Sequence, residues 1–317
     1  MHSINVEGLD IPWTSLTLGC MQLAPSKEWG DACSADEADR VVKAALEGGI
    51  KAFDTAGGYG DGESERRLGK ALGASKNDVI IVSKIMSDTD LTLEAYQARL
   101  EGTLKNLGRD YVDVYMINYP GMYMDTLASS RRLCDIMAAL KETGKARTIG
   151  ISNFRAKEIV LMTDAASWFT VNEVPYNLLQ REYEGETLKK CERAGIGYMA
   201  YFPIARGLLA GRFDEEALQA FARREYYLYR QPTFGHSKIV REAVQDVAEE
   251  LGTAPVNVAL AWVIQKKNII TAVVGARKAD QVKEFCTAGG VTLTPDQLNE
   301  LNEASAQFHF LGGTRLL

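Results

Sequence analysis

Val79-Ile-Ile-Val-Ser-Lys84 and Val112-Asp-Val-Tyr-Met-Ile-Asn118 are short runs rich in β-branched and aromatic residues, and residues 92–107 between them carry apolar side chains at helical period. Strand, crossover helix and second strand form the repeating unit of a parallel sheet. The alternation continues in both directions. Further strands are expected at 15–19, 50–54, 147–152, 170–174, 196–202 and 270–274. Helices are expected near 35–48, 63–73, 129–143, 155–166, 184–194, 238–251, 255–265 and 278–288, with a last one from 295 to about 306. Ser34-Ala-Asp-Glu37 and Thr294-Pro-Asp-Gln297 read as capping boxes, and Gly48, Gly144 and Gly195 stand where helices should stop. Eight such units in 317 residues, with no Pro-, Ser- or Gly-rich linker, predict an α/β chain with one domain over 1–317, a (β/α)8 TIM barrel. A doubly wound open sheet is the alternative. The longest irregular connection, 203–236, holds Phe213, Phe221, Tyr226, Tyr227, Tyr229 and Phe234 and is expected to cross one mouth of the barrel.

Lys+Arg 36 against Asp+Glu 42 leaves a formal net charge of −6, which offers no excess cation for a polyphosphate backbone, so no nucleic acid partner is expected. With 46% hydrophobic and 25% charged residues, the chain should fold around a large core. No stretch reaches the roughly 18 uncharged apolar residues of a membrane span, and Met1–Glu7 lacks a basic region followed by an apolar one. No membrane contact is therefore expected, and the chain reads as cytoplasmic. Cys20, Cys33, Cys134, Cys191 and Cys286 are odd in number and widely spaced, and only three histidines accompany them, which argues against a disulfide framework or a metal site.

Side chains alternate along a strand, so Ile50, Ala52 and Asp54 share a face, as do Ile80, Val82 and Lys84, and Val112, Val114, Met116 and Asn118. Each set is apolar until its last member. In a parallel barrel that face points inward and the C-terminal ends share a mouth, so Asp54, Lys84 and Asn118 should meet there on neighbouring strands about 5 Å apart. A buried Asp54–Lys84 pair that merely closes the core is the packing alternative. Tyr59 follows in a loop with four glycines, Asp54-Thr-Ala-Gly-Gly-Tyr59-Gly-Asp-Gly-Glu-Ser, which can carry the phenol back over the strand end. Lys84 would supply a cation that favours the phenolate and makes Tyr59 a proton donor.

These segments resemble the aldo-keto reductase family. The likeness runs through Phe53-Asp-Thr-Ala-Gly-Gly-Tyr-Gly-Asp-Gly-Glu-Ser-Glu65, Leu68-Gly-Lys-Ala-Leu72, Val82-Ser-Lys84, Ile149-Gly-Ile-Ser-Asn-Phe154, Val174-Pro-Tyr-Asn-Leu-Leu179, Gly207-Leu-Leu-Ala-Gly211 and Val274-Gly-Ala-Arg277. It implies a (β/α)8 barrel that reduces aldehydes and ketones with a nicotinamide cofactor, using Asp54, Tyr59 and Lys84. The family's usual Leu-Ile-His-Trp-Pro is here Met116-Ile-Asn118-Tyr-Pro120. Asn118 can donate an amide N–H to a carbonyl oxygen but cannot titrate near neutrality, which leaves acid catalysis to Tyr59.

The resemblance also places the cofactor. Ser152 and Asn153 match the pair that holds the nicotinamide carboxamide, and Tyr201 matches the stacking ring. Glu173 stands where Gln is usual. Its charge would favour the oxidised, cationic ring; otherwise it partners a cation that the sequence does not identify. Gly19 and Met21 belong to the same mouth. Tyr201-Phe202-Pro203-Ile204-Ala-Arg206-Gly207 resembles the loop over the pyrophosphate. Gly275-Ala-Arg277-Lys278 opens the eighth helix, where two cations oppose the macrodipole unless an anion binds them together with the free N–H groups. The family's 2′-phosphate site lies there, which makes NADP the expected cofactor, with NAD the alternative. Gln281 and Glu284 match further contact positions, and Phe285 replaces a common Asn.

Trp29, Tyr119 and Tyr123, with parts of 212–234 and the tail Phe308-His-Phe310, are expected to line an aromatic pocket suited to a small neutral carbonyl compound or a sugar-like polyol. Three readings stand: an NAD(P)H-dependent carbonyl reductase, a nicotinamide-binding regulatory or sensor protein with little turnover, and a sugar lyase or epimerase that uses bound cofactor transiently.

Overall fold

Ala52, Ile80, Val82, Val114, Met116, Val171, Met199 and Val273 are buried in a single apolar cluster with Trp13. The first eight come from six strands, and only a sheet closed on itself brings their inward faces together. The computed structural model describes residues 1–26, 33–86, 90–211 and 221–313. Its strands are β1 (Ser3–Ile4), β2 (Trp13–Thr14), β3 (Leu16–Gly19), β4 (Ala52–Asp54), β5 (Ile80–Ile85), β6 (Val112–Ile117), β7 (Ala146–Ser152), β8 (Phe169–Pro175), β9 (Gly197–Tyr201) and β10 (Ile269–Gly275). Strands β3 to β10 are parallel neighbours in chain order, and β10 pairs with β3 to close the barrel. The expected TIM barrel is the observed one.

Helices α1 (Ala35–Glu47), α2 (Glu63–Leu72), α3 (Leu93–Leu107), α4 (Leu127–Glu142), α5 (Ala156–Met162), α6 (Glu186–Ala194), α7 (Lys238–Leu251), α8 (Pro255–Ile264), α9 (Ala279–Cys286) and α10 (Pro295–Phe308) surround it. Their apolar faces and the outward faces of the strands form the larger, outer core. Ile50 and Val112 belong to that outer core, so the inward alternation begins only at Ala52 and Val114. Thr294 and Gln297 make the full capping box of α10. Ser34 caps α1 through its hydroxyl, but Glu37 turns its carboxylate to Arg40 and to the backbone of Ala279.

The hairpin β1–β2 was not expected from the sequence. It brings Trp13 under the barrel floor, where the indole N–H donates to Thr17 Oγ1 at 3.0 Å. Thr17 and Thr271 share a hydrogen bond of 2.8 Å beside it. The plug leaves the opposite mouth, at the strands' C-terminal ends, for a site.

The connection 203–236 forms short helical turns at Phe221–Arg224, Tyr227–Tyr229 and Thr233–His236, and Phe234 of the last stacks on Tyr229. Tyr229 Oη and Arg223 Nε both donate to the carbonyl of Arg206, at 3.2 and 3.3 Å. Phe213 lies outside the described residues. The tail does not reach the mouth as expected: α10 buries Phe308 in the outer core, and Phe310 is exposed to solvent. None of the five cysteines is joined in a disulfide. No single helix among the described residues is long and apolar enough to cross a membrane.

Candidate active site

Strands β4, β5 and β8 carry Asp54, Lys84 and Glu173 at or near their C-terminal ends, each almost fully buried. The Lys84 ammonium reaches across the mouth and joins them, 2.5 Å from Asp54 Oδ1 and 3.2 Å from Glu173 Oε2. It also donates to the carbonyl of Thr55 at 3.1 Å and to Tyr59 Oη at 3.4 Å. Burial alone would lower the Lys84 pKa, but the facing carboxylates hold it well above its ordinary value. The cation that Glu173 partners is therefore Lys84. Both residues face inward at strand ends, and that shared position was the available sequence signal.

The loop after β4 turns through glycines, with Gly60 and Gly62 at φ of 60° and 77°, and lays the Tyr59 ring against the ammonium, 5.2 Å from the ring centre. The expected depression of its pKa is not observed. Burial raises it, and the negative charges of Asp54 and Glu173 counter the pull of Lys84. At neutral pH the phenol keeps its proton. Glu173 is pushed up to about 8 by burial and by the charge of Asp54, with Lys84 acting in the opposite direction.

Asn118 directly follows β6, the strand beside Lys84, is 8% exposed, and its amide donates to Met86 Sδ at 3.2 Å. A thioether is a weak acceptor, so a carbonyl oxygen can take that donor over. Asn153 donates to the carbonyl of Asn118 and to Ser152 Oγ, both at 3.0 Å, while its own Oδ1 accepts from Tyr201 Oη at 2.8 Å. Asn153 holds a φ of 65° to do so, and Phe202 and Arg206 hold 52° and 58°. Left-handed backbone at non-glycine residues concentrates where a site constrains the chain.

One cavity of about 580 Å³ opens over this network. Asp54, Tyr59, Lys84 and Asn118 line its floor. Gly19, Met21, Tyr119, Ser152, Asn153, Glu173 and Tyr201 surround them, and Phe202, Pro203, Ile204, Arg206, Gly207, Gly275, Arg277, Gln281 and Glu284 continue it outward. Three expected residues are not among the lining. Trp29 lies outside the described residues. Tyr123 packs against the outer core, because Gly121 at φ 56° starts a helical turn, Met122–Met124, that carries it off the mouth. Lys278 is exposed at the start of α9 and points to solvent, within electrostatic reach of Glu37.

Nor are the backbone N–H groups of Arg277, Lys278 and Ala279, at the start of α9, open to an anion. Gln281 Oε1 accepts from the backbone N–H of Arg277 and Lys278 at 2.9 and 3.2 Å, and Glu37 Oε1 accepts from Ala279 at 3.0 Å. Gln281, matched as a cofactor contact, is thus also the cap of that helix. The cationic surface at this end is instead made of guanidinium groups. Arg206 lies over the rings of Phe202 and Tyr226, 4.6 and 4.4 Å from their centres. Arg223, which the sequence reading missed, lines the same cavity, and a Cβ at Gly207 (φ 97°) would stand 3.0 Å from its guanidinium. Burial, and then the charge of Arg223, lower the pKa of Arg277. Cations held together in this way suit a polyanion.

A sequence profile of the Aldo/keto reductase family matches residues 15–306. The chain is 30% identical over 288 residues to the aldo-keto reductase YhdN of Bacillus subtilis, covering 86% of this chain and 85% of that protein. It superposes on the glycerol dehydrogenase AKR11B4 of Gluconobacter oxydans with a TM-score of 0.83 at 25% identity, over 96% of this chain and 95% of that one. An aldo/keto reductase of Klebsiella pneumoniae, solved with NADP and acetate, shares the fold with a TM-score of 0.74 at 24% identity, over 95% and 94%. With the strand-end network, the closed barrel and a match over nearly its whole length, the chain belongs to the aldo/keto reductase family.

Proposed function

We propose that the protein is an NADP(H)-dependent reductase of a small neutral carbonyl compound, a simple aldehyde or ketone or a sugar-like substrate, with Tyr59 as the general acid. The observation that carries this reading is the partly buried contact of Tyr59 Oη with Lys84 Nζ, at 3.4 Å, on the floor of the large cavity. A general acid must hold a proton at working pH and meet the substrate oxygen, and burial keeps that proton on the phenol. Lys84 stabilises the phenolate as it forms, and Asp54 keeps the ammonium aimed. Asn118 offers its N–H to the same oxygen. Tyr119 lies 49% exposed at the rim, where a substrate entering the mouth would meet it. The Gluconobacter neighbour is a glycerol dehydrogenase, and a small hydroxylated substrate agrees with that likeness.

The residues present fit the cofactor. When bound it supplies the hydride. Ser152 and Asn153 would take its carboxamide, Tyr201 would cover the nicotinamide ring, and Arg206, Arg223 and Arg277 would meet its phosphates. Arg277→Ala is expected to weaken NADPH by roughly ten- to a hundredfold, the worth of one charge-assisted hydrogen bond at about 1.5–3 kcal/mol, and to leave NADH nearly unchanged. Fluorescence titration with both cofactors checks this, and equal losses would remove Arg277 from the 2′-phosphate.

Asn118→Ala should lower turnover by up to about a hundredfold. Loss of a lone oxyanion donor costs roughly 10²–10³, and Tyr59 still binds the oxygen here. Asn118→His should keep activity, since a neutral imidazole also donates. Steady-state rates of the two variants on one aldehyde test the assignment, and unchanged rates in both would refute it. A sensor with little turnover would behave differently: alanine would have little effect, and histidine would create activity.

A further inference from the structure

Two carboxyl groups, Asp54 and Glu173, face one ammonium, Lys84, in a cluster almost closed to water. Both cannot be ionised there without leaving one buried negative charge uncompensated, so the cluster retains one proton. The geometry decides where it resides. Asp54 is 2.5 Å from the ammonium and Glu173 is 3.2 Å away, so Asp54 keeps the closer ion pair.

Resting on the reductase reading above, we propose that Glu173 stores the proton that carbonyl reduction consumes and gives it up as the nicotinamide becomes cationic. With the bound cofactor supplying the hydride that the carbonyl carbon would take, Tyr59 gives its proton to the carbonyl oxygen, which yields the alcohol. Lys84 returns a proton to Tyr59 across 3.4 Å, and Glu173 returns one to Lys84 across 3.2 Å. The cofactor is then oxidised, and Glu173 alone among the protein groups has changed, to carboxylate. Total charge in the site is conserved, because the new negative charge on Glu173 balances the new positive charge on the ring. Solvent reprotonates Glu173 once the oxidised cofactor leaves. The usual Gln could not act in this way, since an amide has no proton to give in this range.

The groups facing Glu173 agree with this arrangement. Burial and Asp54 push its carboxyl up to about 8. Tyr59, from the loop after β4, and Tyr201, from β9, are held neutral by burial. Cys20, which follows β3 within electrostatic reach of Asp54 and Lys84, likewise keeps its proton by burial. Ser152, Asn153 and Asn118 complete the surround without charge.

The test counts protons. Calorimetric titration of the purified protein at neutral pH, in buffers of different ionisation enthalpy, should show NADP+ releasing about one proton more on binding than NADPH. The ratio of their dissociation constants, NADP+ over NADPH, should fall as pH rises, by up to about tenfold per pH unit in the range below the Glu173 pKa. The ratio cancels any titration of the 2′-phosphate, which both cofactors carry. In Glu173→Gln the proton difference and the pH slope should both vanish. Infrared difference spectra of the unmodified protein give a second measurement should that variant not fold: the protonated-carboxyl band should disappear on adding NADP+ and persist with NADPH. Equal proton counts for the two cofactors, a proton difference that survives in Glu173→Gln, or an unchanged carboxyl band would overturn the proposal while the reductase reading stands. Failure of both cofactors to bind would overturn that reading, and this proposal with it.

Discussion

Replacing Tyr59 by Phe is expected to lower carbonyl reduction by two or more orders of magnitude while leaving cofactor affinity within about twofold, since positioned proton transfer contributes roughly 10²–10⁴-fold. The variant removes one hydroxyl and keeps the ring that packs against Lys84, so the fold should be unaffected. Rate and affinity are expected to separate because the phenol oxygen meets the substrate's carbonyl, whereas the cofactor depends on Ser152, Asn153, Tyr201 and the arginines. Single-turnover rates with pre-bound NADPH measure the chemical step directly. Near-full turnover in Tyr59→Phe would remove the phenol from catalysis.

Lys84→Met should be at least as damaging to activity, and it should also destabilise the protein. The ammonium is what allows Asp54 and Glu173 to lie buried in the same mouth. Removing one partner of a buried ion pair costs roughly 3–5 kcal/mol. With the cation gone, both carboxyl pKa values lie above their unfolded values, so the folded state binds more protons than the unfolded one. Stability of the variant should therefore fall as pH rises from about 5 toward 8 and recover as pH is lowered and both groups protonate. Denaturant unfolding at several pH values would show this slope. If Lys84→Met unfolded the protein while Tyr59→Phe stayed fully active, the cluster would be a structural salt bridge and not a catalytic one.

Period and order made the barrel legible. A parallel sheet fixes which end of each strand is the mouth, so Asp54, Lys84 and Asn118 could be brought together from their own strands alone. Glu173 could be placed at that mouth, but its partner could not be found, because β8 and β5 meet only through barrel closure, which no local pattern encodes. The β1–β2 hairpin escaped notice because two-residue strands are too short for a period-two signal. At the start of α9 the sequence displayed two cations, but which N–H groups remain open depends on Gln281 and on Glu37 from α1, 242 positions from the Ala279 N–H that it accepts. Tyr123 was misplaced for a similar reason: the direction of a side chain in a turn depends on backbone angles at Gly121 that composition does not reveal. Arg223 sits in the longest irregular connection, where periodicity offers no guidance.

On the proposed function, Tyr59, backed by Lys84, protonates a carbonyl oxygen in a cofactor-loaded barrel. The most direct measurement is the loss of the reduced nicotinamide's near-ultraviolet absorbance when purified protein is mixed with NADPH and a panel of aldehydes, ketones and sugar-derived carbonyls, run side by side with Tyr59→Phe. At least one neutral carbonyl compound is expected to consume NADPH in the unmodified protein and to do so at least a hundredfold more slowly in the variant. Tight NADPH binding with no consumption across the panel, or equal consumption by the two proteins, would contradict it.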